Sequence, residues 1–284
     1  MPVDRILSAD DPRVLDYRAV REPELVRRRG LFIAEGRLVV SRLLALPHSR
    51  LRSILVSEAG LASLREQAAE GLDARPALPL YLAAPDVIDA IGSFHFHRGC
   101  LAIAERPPDL DAGTLIAAAG PGRPLVVVEG IAQADNVGSI LRNAQAFGAA
   151  GVLLDPATVD PLYRKALRTA MGAALVVPWA RLTPWPDALA RLRDHGIIVA
   201  ALTPHRTAQR LDAFVAAHAD RAAALLVGAE GDGLSDAAMA LADARVSIEM
   251  APGADSVNVA TATGIALHAL ARPSGTGCGE PPRR

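Results

Sequence analysis

The chain has 284 residues, of which 51% are hydrophobic and 21% charged, and its formal net charge is −1. A chain of this length can bury the cores of two domains. It has no long run of apolar residues of the length that a membrane-spanning helix needs. Residues 1–5 lack the apolar segment of a signal peptide, and Cys100 and Cys278 are expected to be free thiols. We therefore expect a cytoplasmic protein.

The first part of the chain alternates strand-like runs with helix-like segments. The strand-like runs are residues 31–34, 51–56, 78–82 and 99–104, and the helix-like segments are residues 37–46, 61–69 and 85–91. Alternation of this kind is typical of a layered α/β domain. We place this first domain at residues 1–106.

An arginine cluster, Arg27, Arg28 and Arg29, lies in a region with an excess of positive charge. Residues 1–52 contain eleven arginines against seven acidic residues. Arginine is well suited to bidentate contacts with phosphate groups, so the cluster is a candidate contact for nucleic acid. The alternative is a solvated, charged face. The preference for arginine over lysine also fits a GC-rich genome.

A second domain is predicted at residues 123–272, after a linker at residues 107–122 that is rich in Pro, Gly, Ala and Asp. Strand-like runs lie near residues 125–129, 151–154, 174–177, 196–201, 223–227 and 245–249. With helical segments between them, these runs predict a doubly wound, mostly parallel sheet. The first run is not followed by a Gly-x-Gly-x-x-Gly turn, which disfavours the ordinary dinucleotide fold. Residues 273–284 are expected to form a disordered tail.

Three polar segments of the second domain are candidates for a functional site. In the first, Asn136 precedes Arg142 by six residues on a predicted helix. The second follows an apolar run and reads Gly228-Ala229-Glu230-Gly231-Asp232-Gly233-Leu234. The third reads Ser256-Val257-Asn258-Val259-Ala260 and begins a helix of unusually small residues. Ser256 and Asn258 are preferred capping residues, so helix capping and contact with a ligand are both open for them.

In this order and at this spacing, the three segments resemble the motifs of the SpoU family of RNA ribose methyltransferases, within the SPOUT or trefoil-knot superfamily. The resemblance covers residues 123–272 and includes Arg-Thr-Ala-Met-Gly-Ala at residues 168–173. Three positions depart from the family pattern. Val257 replaces a Leu, Ala260 replaces a Ser, and Glu249 stands where Pro is common.

The resemblance implies an α/β architecture in two parts. A smaller domain, similar to a ribosomal protein, binds the substrate and precedes a trefoil-knotted catalytic domain with a mostly parallel sheet. It further implies that the chain forms a homodimer through its C-terminal domain. The implied cofactor is S-adenosylmethionine, and the implied reaction is methylation of a ribose 2′-hydroxyl of RNA. The N-terminal domain favours ribosomal RNA over transfer RNA as the substrate.

The family motifs also imply the residues of the site. Those expected to hold the cofactor are Leu202, Thr203, Gly228, Ile248, Met250 and Val257. Those expected at the reacting hydroxyl are Asn136, Arg142, Glu230, Ser256 and Asn258. Arg142 stays protonated at neutral pH, so we expect it to bind a phosphate and stabilise the developing alkoxide rather than act as a base. Arg27, Arg28, Arg29 and Arg142 are expected to contact RNA.

Ordinary structural roles are the alternatives for these residues. Arg142 is then a solvated helix residue, Asn136 and Asn258 are helix caps, and Glu230 is a loop carboxylate. The main alternative function is a non-catalytic RNA-binding protein, although retention of the whole residue set argues against it. A nucleotide hydrolase is disfavoured because no Gly-Lys-Ser/Thr phosphate loop is present.

His95, His97 and Cys100 resemble a metal cluster superficially. Zinc requires three or four converging ligands. On a strand, alternate residues point to the same side, so Cys100 would point away from the two histidines. No metal site is expected.

Overall fold

The computed structural model describes residues 3–18, 22–92, 99–205 and 207–271. The chain forms two compact units. The first unit comprises residues 1–108, 133–142 and 159–176, and the second comprises residues 109–132, 143–158 and 177–284. The domain boundaries drawn along the sequence remain predictions.

The first unit contains a mixed five-stranded sheet with the order β1-β4-β3-β5-β2. Its strands are β1 (Val3–Ile6), β2 (Leu31–Glu35), β3 (Leu51–Val56), β4 (Leu80–Ala83) and β5 (Cys100–Glu105). β4 is parallel to β1 and β3, whereas β5 is antiparallel to β2 and β3. The sequence predicted every strand except β1. That strand has only one buried side chain, Ile6, and therefore lacks an apolar run.

The helices of the N-terminal part also lie where the sequence predicts them. They are α1 (Arg37–Ala45), α2 (Glu58–Asp73) and α3 (Pro85–Gly92), preceded by a 3₁₀ helix (Pro12–Tyr17) and a π-helical turn (Glu24–Arg28). The Ser57 hydroxyl caps α2 by accepting a hydrogen bond from the Gly60 amide at 3.1 Å. The Tyr17 hydroxyl is buried and bonds to the Ser53 hydroxyl at 2.8 Å.

The second unit contains a seven-stranded sheet, ordered β10-β12-β9-β11-β6-β7-β8, in which every pairing is parallel. The strands are β6 (Leu125–Val128), β7 (Gly151–Leu154), β8 (Trp179–Arg181), β9 (Ile198–Leu202), β10 (Gln209–Arg210), β11 (Ala223–Val227) and β12 (Ala244–Ser247). Every residue of β6, β7 and β11 is buried, as expected of parallel strands covered on both faces. The predicted mostly parallel sheet is confirmed, and the knot remains a prediction.

The remaining helices connect these strands. They are α4 (Ala112–Ala117), α5 (Ala134–Ala146), α6 (Arg164–Thr169), α7 (Ala190–Asp194), α8 (Leu211–Ala217), α9 (Asp236–Leu241) and α10 (Val259–Leu270). The predicted linker includes α4, whose Leu115 and Ile116 join the core of the second unit beside Leu125 and Leu153. The predicted tail at residues 273–284 lies outside the described residues.

One strand prediction is wrong. Residues 174–177 were expected to form a strand, but the chain forms a 3₁₀ helix at Ala173–Leu175, and the strand is β8. Met171 and Gly172 both have positive φ, at 51° and 81°, and they turn the chain immediately before this helix. A short apolar run has no periodicity that separates a buried strand from a buried turn.

Candidate active site

A cavity of about 550 Å³ lies at the carboxyl ends of the parallel strands in the second unit. Leu202 ends β9, Val227 ends β11 and Ile248 follows β12, and all three line it. The first turn of α10 supplies Val259 and Ala262. In open α/β sheets, ligands bind outside the carboxyl ends of the strands. The volume is within the range of small-molecule sites.

The cavity gathers most of the residues that the sequence singled out. All six residues expected to hold the cofactor line it: Leu202, Thr203, Gly228, Ile248, Met250 and Val257. Three of the five residues expected at the reacting hydroxyl also line it: Glu230, Ser256 and Asn258. The second and third motifs therefore meet around one cavity, and the roles of their residues remain predictions.

The glycines of the second motif serve the turn of the loop itself. A Cβ added to Gly228 would lie 2.3 Å from the Gly233 carbonyl oxygen and 2.6 Å from the Leu234 nitrogen. The Gly233 amide donates to the Ala229 oxygen at 3.0 Å. Gly231 and Gly233 have φ values of +93° and +71°, a conformation that residues with a Cβ rarely adopt. The space beside Gly228 is thus filled by loop backbone.

Asn258 combines the two roles that the sequence left open. Its Oδ1 caps α10 by accepting hydrogen bonds from the amides of Ala260 (2.9 Å) and Thr261 (3.2 Å). Its Nδ2 donates to Glu230 Oε1 at 2.6 Å. Asn258 therefore links the N-terminus of α10 to the loop of residues 228–234. Ser256, two residues earlier, is exposed beside the same cavity.

Asn136 and Arg142 lie on α5, in the part of that helix that belongs to the first unit. Asn136 is buried, with 7% of its surface exposed, whereas Arg142 is exposed. Arg142 makes no hydrogen bond or ion pair within the described residues. The buried side chains Val137, Ile140 and Leu141 hold the helix in place. Neither Asn136 nor Arg142 is among the residues that line the cavity, and their part in the site remains a prediction.

Two polar residues that shape this region were not predicted. Glu129 follows β6, is 8% exposed, and accepts hydrogen bonds from Trp185 Nε1 (2.7 Å) and from the Ser235 amide (2.9 Å) and hydroxyl (2.7 Å). A carboxylate directly after a buried apolar strand was the available signal. Asn143, on α5, donates to the Ala260 oxygen at 2.7 Å, a contact that no local pattern indicates.

The departure at Glu249 has a structural explanation. Glu249 pairs with Arg210 at 2.5 Å, and Arg210 also pairs with Asp212 at 2.9 Å. The hydrogen bond to Asp212, followed by the charges of both carboxylates, raises the pKa of Arg210. Ile248 and Met250, on either side of Glu249, line the cavity. Glu249 therefore ties the short edge strand β10 to the end of β12 without taking a place in the cavity wall.

The arginine cluster lies on the surface of the first unit. Arg27 and Arg28 end the π-helical turn, and Arg29 follows it. All three are exposed. Arg29 pairs with Asp16 at 2.6 Å, whereas Arg27 and Arg28 form no ion pair within the described part of the chain.

His95 and His97 lie outside the described residues. Elsewhere, over the ranges that the structure describes, no group of three His, Cys, Asp or Glu side chains has the arrangement to hold a metal ion. Over the same ranges, every helix is too short or too polar to cross a bilayer.

The arrangement of the parallel sheet, the cavity and the motif residues agrees with the comparisons with known proteins. The model of the SpoU rRNA methylase family matches residues 123–268. The chain belongs to this family. An uncharacterized tRNA/rRNA methyltransferase of Mycobacterium tuberculosis is 40% identical over 96% of this chain and 93% of its own length.

Two further similar proteins have names that bear on the chemistry. The crystal structure of an AdoMet-bound rRNA methyltransferase from Sinorhizobium meliloti has a TM-score of 0.76 and 26% identity, covering 94% of this chain and 97% of that one. A 23S rRNA (guanosine-2′-O-)-methyltransferase of Vibrio vulnificus is 29% identical, covering 62% of this chain and 70% of its own length. The predicted family and the α/β fold are confirmed.

Proposed function

We propose that this SpoU family member uses S-adenosylmethionine to methylate ribose 2′-hydroxyl groups of RNA, with ribosomal RNA as its substrate. The observation that carries the proposal is the single cavity lined by all six residues expected to hold the cofactor. The AdoMet bound to the Sinorhizobium relative supports the cofactor. The name of the Vibrio relative supports the ribose 2′-hydroxyl as the methylated group and ribosomal RNA as the substrate.

The residues around the cavity fit this cofactor. Leu202, Ile248, Met250 and Val257 supply apolar walls suited to an adenine ring. The backbone of the loop that begins at Gly228 lies against the same space and offers amides and carbonyls. A mostly apolar pocket with a few polar groups is the usual form of a cofactor site. When bound, S-adenosylmethionine supplies a methyl group activated by its positive sulfur.

The protein must then align the ribose hydroxyl and stabilise its developing negative charge. Alignment of reacting groups can contribute much of a rate enhancement. In this proposal the Arg142 guanidinium binds the phosphate next to the ribose and stabilises the alkoxide electrostatically, since it keeps its own proton. Asn136 and Ser256 orient Arg142 and the substrate. Glu230 and Asn258, whose side chains share a hydrogen bond of 2.6 Å, hold the loops of the second and third motifs together.

The test is transfer of a labelled methyl group from S-adenosylmethionine to RNA that lacks the modification, followed by alkaline hydrolysis. Alkali cleaves RNA through a free 2′-hydroxyl, so ribose methylation leaves the label in dinucleotides that resist cleavage. Label in alkali-resistant dinucleotides is the expected result. Label in mononucleotides means base methylation and contradicts the proposal. RNA binding without transfer favours the non-catalytic alternative.

Substrate class is tested separately by supplying purified 23S, 16S and transfer RNA in turn. We expect transfer to ribosomal RNA, and transfer confined to transfer RNA would contradict that part. The proposal includes a homodimer formed through the C-terminal domain and RNA contacts by Arg27, Arg28 and Arg29. Localisation in the cytoplasm remains a prediction from the sequence.

A further inference from the structure

Asn143 connects helix α5 to the first turn of helix α10. Its side chain is half-buried, and its Nδ2 donates a hydrogen bond to the Ala260 carbonyl oxygen at 2.7 Å. The two residues are 117 positions apart in the chain. Asn143 directly follows Arg142, and α5 continues beyond both residues to Ala146.

This contact extends a chain of hydrogen bonds so that it joins the second and third sequence motifs to helix α5. Glu230, in the second motif, accepts from Asn258 Nδ2, and Asn258 Oδ1 accepts from the Ala260 amide. The same Ala260 peptide unit is reached at its carbonyl by Asn143. Ala260 is thus held at its amide by Asn258 and at its carbonyl oxygen by Asn143 of α5.

The small residue Gly264 makes the close approach of Asn143 possible. A Cβ at Gly264 would lie 3.0 Å from Asn143 Nδ2 and 3.3 Å from its Cγ. Those distances are tighter than most Cβ contacts, so a larger residue would require the Asn143 side chain to shift by a few tenths of an ångström. The side-chain amide of Asn143 therefore occupies space that the lack of a side chain at Gly264 leaves open.

We propose that Asn143 is a positioning residue for methyl transfer. Its hydrogen bond fixes the position of α5 relative to the first turn of α10, which lines the cavity. The inference rests on the proposed function, in which Arg142 acts on the ribose hydroxyl. Because α5 is continuous, displacement of Asn143 also displaces Arg142. In-line transfer is sensitive to alignment, and a misplacement of about 1 Å can cost roughly 100-fold in rate.

The first test is Asn143→Ala, measured by single-turnover methyl transfer to RNA, calorimetric titration of S-adenosylmethionine, and thermal melting. We expect the transfer rate to fall about 10- to 100-fold while cofactor affinity stays within a factor of two or so. Gln145→Ala is the matched control, because Gln145 is exposed on the same helix. It should transfer at the wild-type rate.

The second test is the pH dependence of Asn143→Asp. At neutral pH the new carboxylate has no proton to donate to the Ala260 oxygen, so the rate should be low. At acidic pH the carboxyl group becomes a donor and restores the contact. The ratio of the variant rate to the wild-type rate should therefore rise as pH falls from about 7 towards about 4, the ordinary pKa of an aspartate, whereas the ratio for Asn143→Ala should stay flat.

The third test uses Gly264→Ala alone and combined with Asn143→Ala. Alanine favours the helix more than glycine does, so thermal stability should not fall from the change itself. Alone, Gly264→Ala should slow transfer because its Cβ displaces Asn143. In the Asn143→Ala background it should have almost no further effect, since the amide that it displaces is gone.

The outcomes separate this inference from the proposed function. If the wild-type protein transfers no methyl group to ribose, the proposed function fails. If the wild type transfers and Asn143→Ala transfers equally fast, only the positioning role is overturned. A loss of rate matched by equal losses of cofactor affinity and melting temperature would also overturn it, because Asn143 would then be structural.

Discussion

At the scale of single residues, Arg142 and the buried residues of α5 have separate roles. Val137, Ile140 and Leu141 are each no more than 1% exposed and attach the helix to the protein interior. Arg142 is exposed on the opposite side. Its charge is thus available to a phosphate, and its loss removes no packing from the core.

This division predicts the behaviour of Arg142→Ala. The variant should fold and bind S-adenosylmethionine like the wild type, but it should lose about 100-fold or more of its transfer rate, because a charge that stabilises the alkoxide is gone. Arg142→Lys should restore little, since an ammonium group lacks the planar fork of a guanidinium. Single-turnover transfer with melting and cofactor titration measures these effects. Transfer near the wild-type rate would show that the proposed active site is wrong, and a much lower melting temperature would make Arg142 structural.

Asn258 offers a way to separate helix capping from the link to Glu230. Serine caps helices about as well as asparagine but cannot reach Glu230 as the amide does, whereas alanine does neither. We expect Asn258→Ala to lose about 1 kcal/mol of stability and Asn258→Ser to lose little, measured by chemical denaturation. Both variants should lose methyl transfer to a similar degree. Full activity in Asn258→Ser would mean that capping is the whole role of Asn258.

At the scale of elements, the loop from Gly228 to Leu234 is defined by contacts within itself. Its turn depends on the close approach of Gly228 to the Gly233 carbonyl. A side chain at position 228 therefore disturbs the loop first, and the cofactor site through it.

Even the smallest substitution at this position should consequently abolish most cofactor binding. Gly228→Ala, and Gly228→Val more strongly, should lose affinity for S-adenosylmethionine in titrations without RNA, because the loop that faces the cavity cannot close. Gly120→Ala is the matched control, since nothing lies within 4 Å of a Cβ at Gly120. Unchanged affinity in Gly228→Val would place the cofactor elsewhere.

The π-helical turn Glu24–Arg28 presents its arginines because its other side is buried. Leu25 and Val26 are both 2% exposed, which leaves Arg27 and Arg28 facing outwards. If the two arginines contact phosphates, the double change to alanine should weaken RNA binding and lower the slope of log affinity against log salt by about one for each contact. Arg65→Ala, exposed on α2, is the control. An unchanged salt slope would assign the cluster to a solvated face.

At the scale of the whole molecule, the proposed homodimer concerns the outer face of α10. Its inner side buries Ala260, Thr263, Ala266 and Leu267, while Ile265 is 43% exposed. Val257, just before the helix, is 41% exposed. A homodimer formed through this helix would cover both apolar side chains.

The predicted dimer can be tested by sedimentation with Ile265→Arg. This variant should sediment as a monomer where the wild type sediments as a dimer, because a charge would be buried in the interface. Leu110→Arg is the control, since Leu110 is 49% exposed and lies outside α10. A wild-type protein that is monomeric and fully active at micromolar concentration would remove the dimer from the proposal.

The sequence by itself determined the α/β fold class with its mostly parallel sheet, and it predicted which segments form the candidate site. Parallel strands buried on both faces appear as continuous apolar runs, so β6, β7, β9 and β11 were predictable. Polar and glycine-rich segments after β9, β11 and β12 had to meet at one edge of the sheet, and there they line a cavity. These features depend on local order along the chain.

The tertiary structure alone decided how the residues of the site are connected. The chain turns at Met171 and Gly172, and the strand β8 begins only at Trp179. The backbone of Gly233 fills the space beside Gly228. The tertiary structure also joined Asn258 to Glu230 and Asn143 to Ala260, pairs that are 28 and 117 residues apart. Local periodicity carries no information about such contacts, because they depend on the path of the chain between the partners.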